Sequence, residues 1–249
     1  MITHLDVVTS TSDHLREALA ANAPEGTAFR ANVQTKGRGR QGRDWQSPAG
    51  NLYVSILLKP QRPMAEWPSL SLITALALRD AMMTFRAADD LALKWPNDLL
   101  YRGDKCAGLL LEVEDGAILL GCGVNLDAEP VAVDGWQAGS LNRDPDLPNV
   151  SAAALMAELE TRLVARYNRW NRSGFAEQLD DWHDAAAHLG QTLKIDLGAG
   201  APLVGQFTTL NPDGSLCLRT ADGVDHMITA GEVMRARLAP SPAIAITRR

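Results

Sequence analysis

The sequence predicts an α+β protein: a mixed, largely antiparallel sheet with packed helices, followed by a small C-terminal β-barrel. Three observations carry that prediction. Strand-like runs at 91–94, 107–114 and 117–125 adjoin one another, whereas an all-parallel sheet needs a crossover segment between each pair. Apolar residues recur at helical spacing over 68–85 and again from Leu155 to Trp170. From Gln191 onward short strands alternate with turn residues at close intervals. Of the 249 residues 46% are hydrophobic and 22% charged, a globular composition that excludes global disorder.

A short strand, Leu5–Val8, opens the chain. Thr9-Ser10-Thr11-Ser12-Asp13 then supplies N-cap candidates for a helix from Asp13 to Ala21, ending near Asn22 and Pro24. A strand over Ala28–Gln34 leads into the basic stretch Lys36–Arg43. Ser47-Pro48-Ala49-Gly50 turns the chain into a β-rich run, Asn51–Leu58, so the basic stretch is a loop between strands. Pro68 to Phe85 is apolar nearly all round, as a helix buried on most sides requires. Leu91–Lys94 forms a strand, and Asp115-Gly116 turns a hairpin of Ala107–Glu114 and Ala117–Asn125. Ser151 caps a long helix with Leu155, Leu159, Leu163, Tyr167 and Trp170 on one face; Glu158 stands four residues before Arg162 on the other. A further helix spans about Phe175 to His188 and stops at Gly190. Strands at 192–197, 203–210, 215–219 and 224–228 complete the chain, with a mobile tail expected over 240–249. The domain boundaries drawn from this pattern are 1–188, 189–239 and the tail.

Lys and Arg number 24 against 30 Asp and Glu, a net charge of −6, which argues against a nucleic-acid-coating protein. The first residues lack a secretory signal, and no apolar run is long enough to span a bilayer, so a cytoplasmic protein without membrane contact is expected. Cys106, Cys122 and Cys217 are an odd set without metal-ligand spacing and are read as buried fillers. The five histidines are scattered and lack a zinc motif.

Chemistry concentrates in four segments. Lys36–Arg43 packs four positive charges and three glycines into eight residues, leaving a net −10 over the rest of the chain. Glycines here let backbone N–H groups face a ligand while guanidiniums fork onto carboxylate or phosphate oxygens. Gly37-Arg38-Gly39-Arg40-Gln41-Gly42 matches a dinucleotide fingerprint only by letter, because it opens a strand rather than a helix. As a P-loop it fails too, since Arg43 and Asp44 stand where Lys and Ser or Thr are needed. Lys94-Trp95-Pro96-Asn97-Asp98 puts a cation, an aromatic face and polar groups at a strand end. Lys105-Cys106-Ala107-Gly108 and Gly121-Cys122-Gly123-Val124-Asn125 follow on the hairpin, where glycines let a planar or cyclic ligand lie against backbone.

In this order the segments closely resemble the biotin protein ligases, over about Thr9 to Asn125, and the small C-terminal β-domain also fits that family. The resemblance implies a fold like that of class II aminoacyl-tRNA synthetases with an SH3-like C-terminal barrel. It also implies condensation of biotin with ATP to biotinyl-5′-AMP and pyrophosphate, then transfer of biotin to a lysine of a biotin carboxyl carrier protein. Carried over by position, Ser10, Thr11, Ser12, Gln34, Arg38, Gly39, Arg40, Lys105, Gly108, Gly121 and Gly123 would bind biotin, with Ser12 where the family commonly has Asn. Arg38, Arg40, Trp45, Lys94, Asn97 and Asn125 would serve ATP and the adenylate, Trp45 as a stacking face for adenine. Lys105, Arg38 and Arg40 would be the catalytic cations, because bringing a carboxylate onto an anionic phosphorus otherwise sets like charges together at a cost of several kcal/mol. Triphosphate chemistry implies Mg2+, with Asp98 as a candidate ligand and no other assigned.

The resemblance gives no expectation of a DNA partner: the chain begins almost at the catalytic strand, without the N-terminal helix-turn-helix of the repressor members. A monomer and a homodimer both remain open. Two other readings stand beside this one, a lipoate-protein ligase of the same fold and a non-catalytic nucleic-acid-binding module using the Arg-Gly loop. The first is disfavoured by the specificity of the Gly-Arg-Gly-Arg-x-Gly-Arg and Lys-Trp-Pro-Asn-Asp pair, the second by the negative net charge.

Overall fold

The computed structural model of the protein describes residues 2–129, 137–198, 200–229 and 232–234. The tail expected over 240–249 lies outside them. The chain opens with β1 (Ile2–Val8), longer than the sequence suggests, and α1 (Thr11–Ala20). Helix α1 starts two residues earlier than read because Ser10, in extended conformation, is the cap and accepts the N–H of Ser12. Next come β2 (Ala28–Gln34), the basic loop with a single 3-10 turn at Arg40–Gly42, and β3 (Leu52–Leu58).

The apolar stretch around Pro68 divides into a 3-10 turn, Met64–Ser69, and α2 (Leu70–Met82). Pro68 sits in the turn, where the N–H that it lacks is not needed by the helix. Strands β4 (Leu91–Lys94), β5 (Asp98–Tyr101), β6 (Asp104–Glu114) and β7 (Ala117–Val124) follow. Strand β5 has no counterpart in the sequence reading, for four residues of mixed type carry too short a pattern to register. The β6–β7 turn is as read: Asp115 and Gly116 both take positive φ, at 48° and 73°.

These strands form one sheet in the order β1-β2-β3-β7-β6-β5-β4, parallel only at β1–β2. Helix α2 packs on one face, over Val54, Ile56, Leu109, Leu120 and Cys122, and α3 (Ala152–Ser173) packs on α2. Among the described residues the opposite face meets only one helix, α1, whose Leu15 sits on Leu57, Ala117 and Leu119. Half of that second face, toward β6, β5 and β4, carries no helix among the described residues. All three cysteines are buried and free; burial pushes the thiols of Cys106 and Cys122 up to about 12.

The segment read as a helix over 175–188 is shorter, a 3-10 turn followed by α4 (Leu179–Ala185). Beyond it β8 (Thr192–Asp196), β9 (Leu203–Leu210), β10 (Leu216–Arg219), β11 (Asp225–Ile228) and β12 (Glu232–Met234) make a small antiparallel sheet in the order β11-β10-β9-β8-β12. Its core is continuous with the main one: Trp182 of α4 meets Phe207 edge-on, and His183 Nε2 accepts the N–H of Leu210 at 3.1 Å. Among the described residues no helix is long and apolar enough to cross a membrane.

Trp170 is fully buried between α3 and the start of α2, and its indole N–H donates to Ser69 Oγ at 2.8 Å. Replacement by alanine leaves a large cavity and removes one hydrogen bond, so Trp170→Ala is expected to lose about 3–5 kcal/mol in a urea titration.

Candidate active site

The half-covered face of the sheet is the floor of a cleft of about 170 Å³. Its side walls are the N-terminal turn of α1 and the basic loop, and β4, β5 and β6 supply its far end. Every site residue named from the sequence lines this one cleft.

At the α1 end hydroxyls and an amide form a chain. Thr11 donates its N–H and its Oγ1–H to Gln34 Oε1, at 2.8 and 3.1 Å; Gln34 Nε2 donates to Ser47 Oγ, which donates to the carbonyl of Trp45. Ser55 on β3 completes the group, with its Oγ 2.7 Å from Thr11 Oγ1 and 3.2 Å from Ser12 Oγ. Sequence reasoning missed Ser55. Its signal was a small hydroxyl within the wholly buried strand Leu52–Leu58, a position that costs free energy unless polar partners are waiting.

The basic loop is closed on itself as a small hairpin. Gly39 N–H donates to Arg43 O at 2.8 Å and Trp45 N–H to Gly37 O at 2.9 Å. The Trp45 indole lies flat on the floor, against the two glycines that face each other across β6 and β7. A Cβ on Gly108 would come within 2.9 Å of the ring, and one on Gly123 within 2.5 Å. The planar group against this glycine backbone is thus a side chain of the protein itself.

The arginines of the loop are held by specific partners. Arg38 Nη2 lies 2.7 Å from Asp13 Oδ1, on the first turn of α1, and the same carboxylate meets Arg16, which continues to Glu112 and Glu114 on β6. Burial pushes the Asp13 carboxyl up, but the hydrogen bonds from Arg38 and Thr9 outweigh it and hold it below the usual value. Nothing local marks Asp13 as part of the site, because a carboxylate in a first helical turn is already explained by the helix dipole. Arg40 Nη1 donates to Asn97 Oδ1 at 3.2 Å, and Asn97 Nδ2 is tied to Leu109 O.

At the β4–β6 end lies a group of charges. Lys94 Nζ is 2.9 Å from Asp98 Oδ2, and Lys105 Nζ is 2.6 Å from Asp98 Oδ1 and 5.4 Å above the Trp45 ring. Lys94 and Asp98 expose only 3% and 8% of their side chains, Lys105 29%. Burial alone pushes the Asp98 carboxyl up; Lys105 and then Lys94 overcome it and hold the group ionised, below the usual carboxylate range. Asn125 Nδ2 donates to Gly139 O beyond Lys105.

A magnesium site built on Asp98 does not fit this arrangement, since both oxygens are engaged by ammonium groups. Among the described residues no cluster of three His, Cys, Asp or Glu side chains could hold a metal. What the cleft offers is an elongated surface, hydroxyls and amides at one end, cations along its length and an aromatic face in the middle. Such a surface suits a ligand with a neutral polar head, a planar part and anionic oxygens.

Comparison with known proteins gives a consistent result. Residues 5–128 match the Biotin/lipoate A/B protein ligase family, and 188–235 match the biotin protein ligase C-terminal domain. A biotin–(acetyl-CoA-carboxylase) ligase of Mycobacterium tuberculosis is 32% identical over 243 residues, covering 94% of this chain and 89% of the relative. Among solved structures, biotin protein ligase from Aquifex aeolicus in complex with biotin and ATP superposes with a TM-score of 0.81 at 28% identity, over 93% of this chain and 97% of the other. The biotin protein ligase from Leishmania major in complex with biotinyl-5-AMP gives 0.66 at 27%, over 92% and 98%.

Because the indole rests on Gly123, the variant Gly123→Ala is expected to lift Trp45 and open the hairpin of the loop. Amide hydrogen exchange at Gly39 and Trp45 should then accelerate about tenfold or more; unchanged rates would show that the loop does not depend on the glycine floor.

Proposed function

The chain belongs to the biotin/lipoate A/B protein ligase family, and from that premise we propose how the residues of its cleft divide the work of an ATP-dependent biotin protein ligase. In the first half-reaction a carboxylate oxygen of biotin attacks the α-phosphorus of ATP, pyrophosphate leaves, and biotinyl-5′-AMP forms. In the second, a lysine amine of the acceptor attacks the acyl carbon, AMP departs with the bonding electrons, and the amine loses a proton as the amide forms. The acceptor is a biotin carboxyl carrier protein.

The hydroxyl and amide chain of Ser10, Thr11, Ser12, Ser55 and Gln34 supports a role in holding the neutral polar ring of biotin, since it presents donors and acceptors without net charge. Lys105, with Arg38 and Arg40, neutralises the approach of carboxylate to phosphate. Unit charges 4 Å apart near a protein surface interact by about 4 kcal/mol, so an unshielded approach is a large share of a reaction barrier. Trp45, Asn97 and Asn125 serve the nucleotide side, and Lys94 adds charge behind Lys105. The single observation that carries this reading is the position of the Lys105 ammonium, inside the cleft and between the Trp45 ring and Asp98.

The loop that closes over the cleft suits the lability of a mixed anhydride, which a covering segment shields from water. The C-terminal unit, 189–239, supports the site from behind: the indole N–H of Trp95, within the Lys-Trp-Pro-Asn-Asp segment, donates to Gly214 O at 3.1 Å. Three free, buried cysteines are compatible with work in the reducing cytoplasm.

The expected outcome is exchange of labelled pyrophosphate into ATP with biotin and none with lipoate or octanoate. Lys105→Ala should reduce that exchange by about 100-fold or more. Exchange with lipoate instead would reassign the substrate, and full activity in the variant would remove Lys105 from the chemistry.

Removing the anchor of the loop has a different signature. Asp13→Asn leaves Arg38 without its carboxylate, so escape or hydrolysis of biotinyl-5′-AMP in the absence of acceptor should rise a few-fold. An exposed ion pair contributes about 1 kcal/mol or less, so the effect should shrink as salt is added.

A further inference from the structure

The ammonium groups of Lys94 and Lys105 come from different strands, yet both end on one buried carboxylate. Local geometry explains how. Lys94 and Asp98 face each other across the β4–β5 pair, and Asp98 faces Gly108 on β6, so these three share the cleft side of the sheet. Lys105 would belong to the opposite side if the ladder ran on regularly, because sides alternate with a period of two. The register shifts between Leu99 and Leu100: Leu99 pairs with Ala107 but Leu100 pairs with Lys105. Cys106 is the extra residue and enters the core beside Ala107, while Lys105 is turned into the cleft.

We propose that Asp98 is a positioning residue of the ligase reaction: clamped between Lys94 and Lys105, its carboxylate fixes the Lys105 ammonium at the point where the acyl and phosphoryl groups meet. This rests on the reading of Lys105 given above. Two ammonium groups and one carboxylate leave one net positive charge, and the better exposed member of the group, Lys105, presents it to the cleft. Without the carboxylate two ammoniums would share this end of the cleft with no anion between them, and their repulsion would favour loss of a proton at a lower pH.

Among the described residues the other charged groups around the cluster have partners or surroundings of their own. Arg40 is turned to Asn97, and Asp104 is paired with Arg143 at 2.6 Å. Glu129 accepts from Ser140. His188 adjoins Lys94 and is held below its ordinary value by burial and by that ammonium. The Cys106 thiol is pushed up to about 12 by burial. Neither of these two titrates between about pH 7 and 9.

The test is biotin-dependent pyrophosphate exchange by the full chain, followed against pH and against Mg2+ in Asp98→Asn and Asp98→Glu. In Asp98→Asn, kcat should fall about 100-fold at pH 8, as expected when a catalytic group is misplaced, while KM for biotin changes less than about threefold. The loss relative to wild type should deepen as pH rises from about 7 to 9 and shrink toward the lower end. Asp98→Glu keeps the charge and should keep the wild-type profile, even at reduced kcat, so it decides the matter if the Asn variant does not fold. A pH-independent loss in Asp98→Asn, the same deepening in Asp98→Glu, or a raised Mg2+ requirement in either would overturn the proposal, the last by making Asp98 a metal ligand. Wild-type exchange in Lys105→Ala would instead overturn the reading of Lys105. An inactive Lys105→Ala beside a wild-type profile in Asp98→Asn would remove only the clamp.

Discussion

Unequal cover on the two faces of one sheet is the constraint on which the rest of the molecule depends. A seven-stranded sheet must bury apolar surface, and α2, backed by α3, does so over the centre of one face. On the other face α1 is only ten residues long, and its apolar contact is with Leu57, Ala117 and Leu119. What lies beyond cannot be apolar without aggregating, and cannot carry large side chains and still admit a ligand. Glycines at 108, 121 and 123, the hydroxyl of Ser55 and the charges of Lys94, Asp98 and Lys105 meet both conditions.

Over this floor lies the basic loop, whose attachments are polar and individually weak. Its hairpin is closed by two backbone hydrogen bonds, Arg38 is held by Asp13 and Arg40 by Asn97, and the indole of Trp45 rests on glycine. Each attachment contributes of the order of 1 kcal/mol, so on the reading proposed above a ligand bearing anionic oxygens and a planar base competes with all of them at once. Asp13 is the carboxylate that Arg38 meets. Its link through Arg16 to Glu112 and Glu114 ties the loop to the sheet it covers.

The charges at the other end are of a different kind. Lys94 and Asp98 are almost fully enclosed, and a buried ion left without its partner costs far more than the pair contributes to stability. On the reading proposed above, such a cluster serves position rather than stability, with its net positive charge at the Lys105 end that opens on the cleft. The C-terminal sheet reaches the same neighbourhood through Gly214 and Trp95, so the segment that carries Lys94 is supported from both sides.

Much of the molecule was legible in the residues alone. The hairpin at Asp115-Gly116, the cap at Ser151, the burial of the three cysteines and the change of texture at Gln191 follow from local rules of turn chemistry and periodicity, which act over a few residues. The four motifs that resemble the biotin protein ligases were equally plain, because rare residue types at fixed spacing survive in one dimension. Strand β5, the parallel pairing of β1 with β2, the polar role of Ser55, the anchoring of Arg38 by Asp13 and the outward turn of Lys105 at Cys106 were not. Each depends on which strand lies beside which, and in what register, between residues up to about a hundred positions apart. By itself the sequence determined which chemical groups the protein carries and which short elements hold them. Only the tertiary structure decided which charges meet, since a shift of one residue in a strand pairing moves a side chain to the opposite face of the sheet.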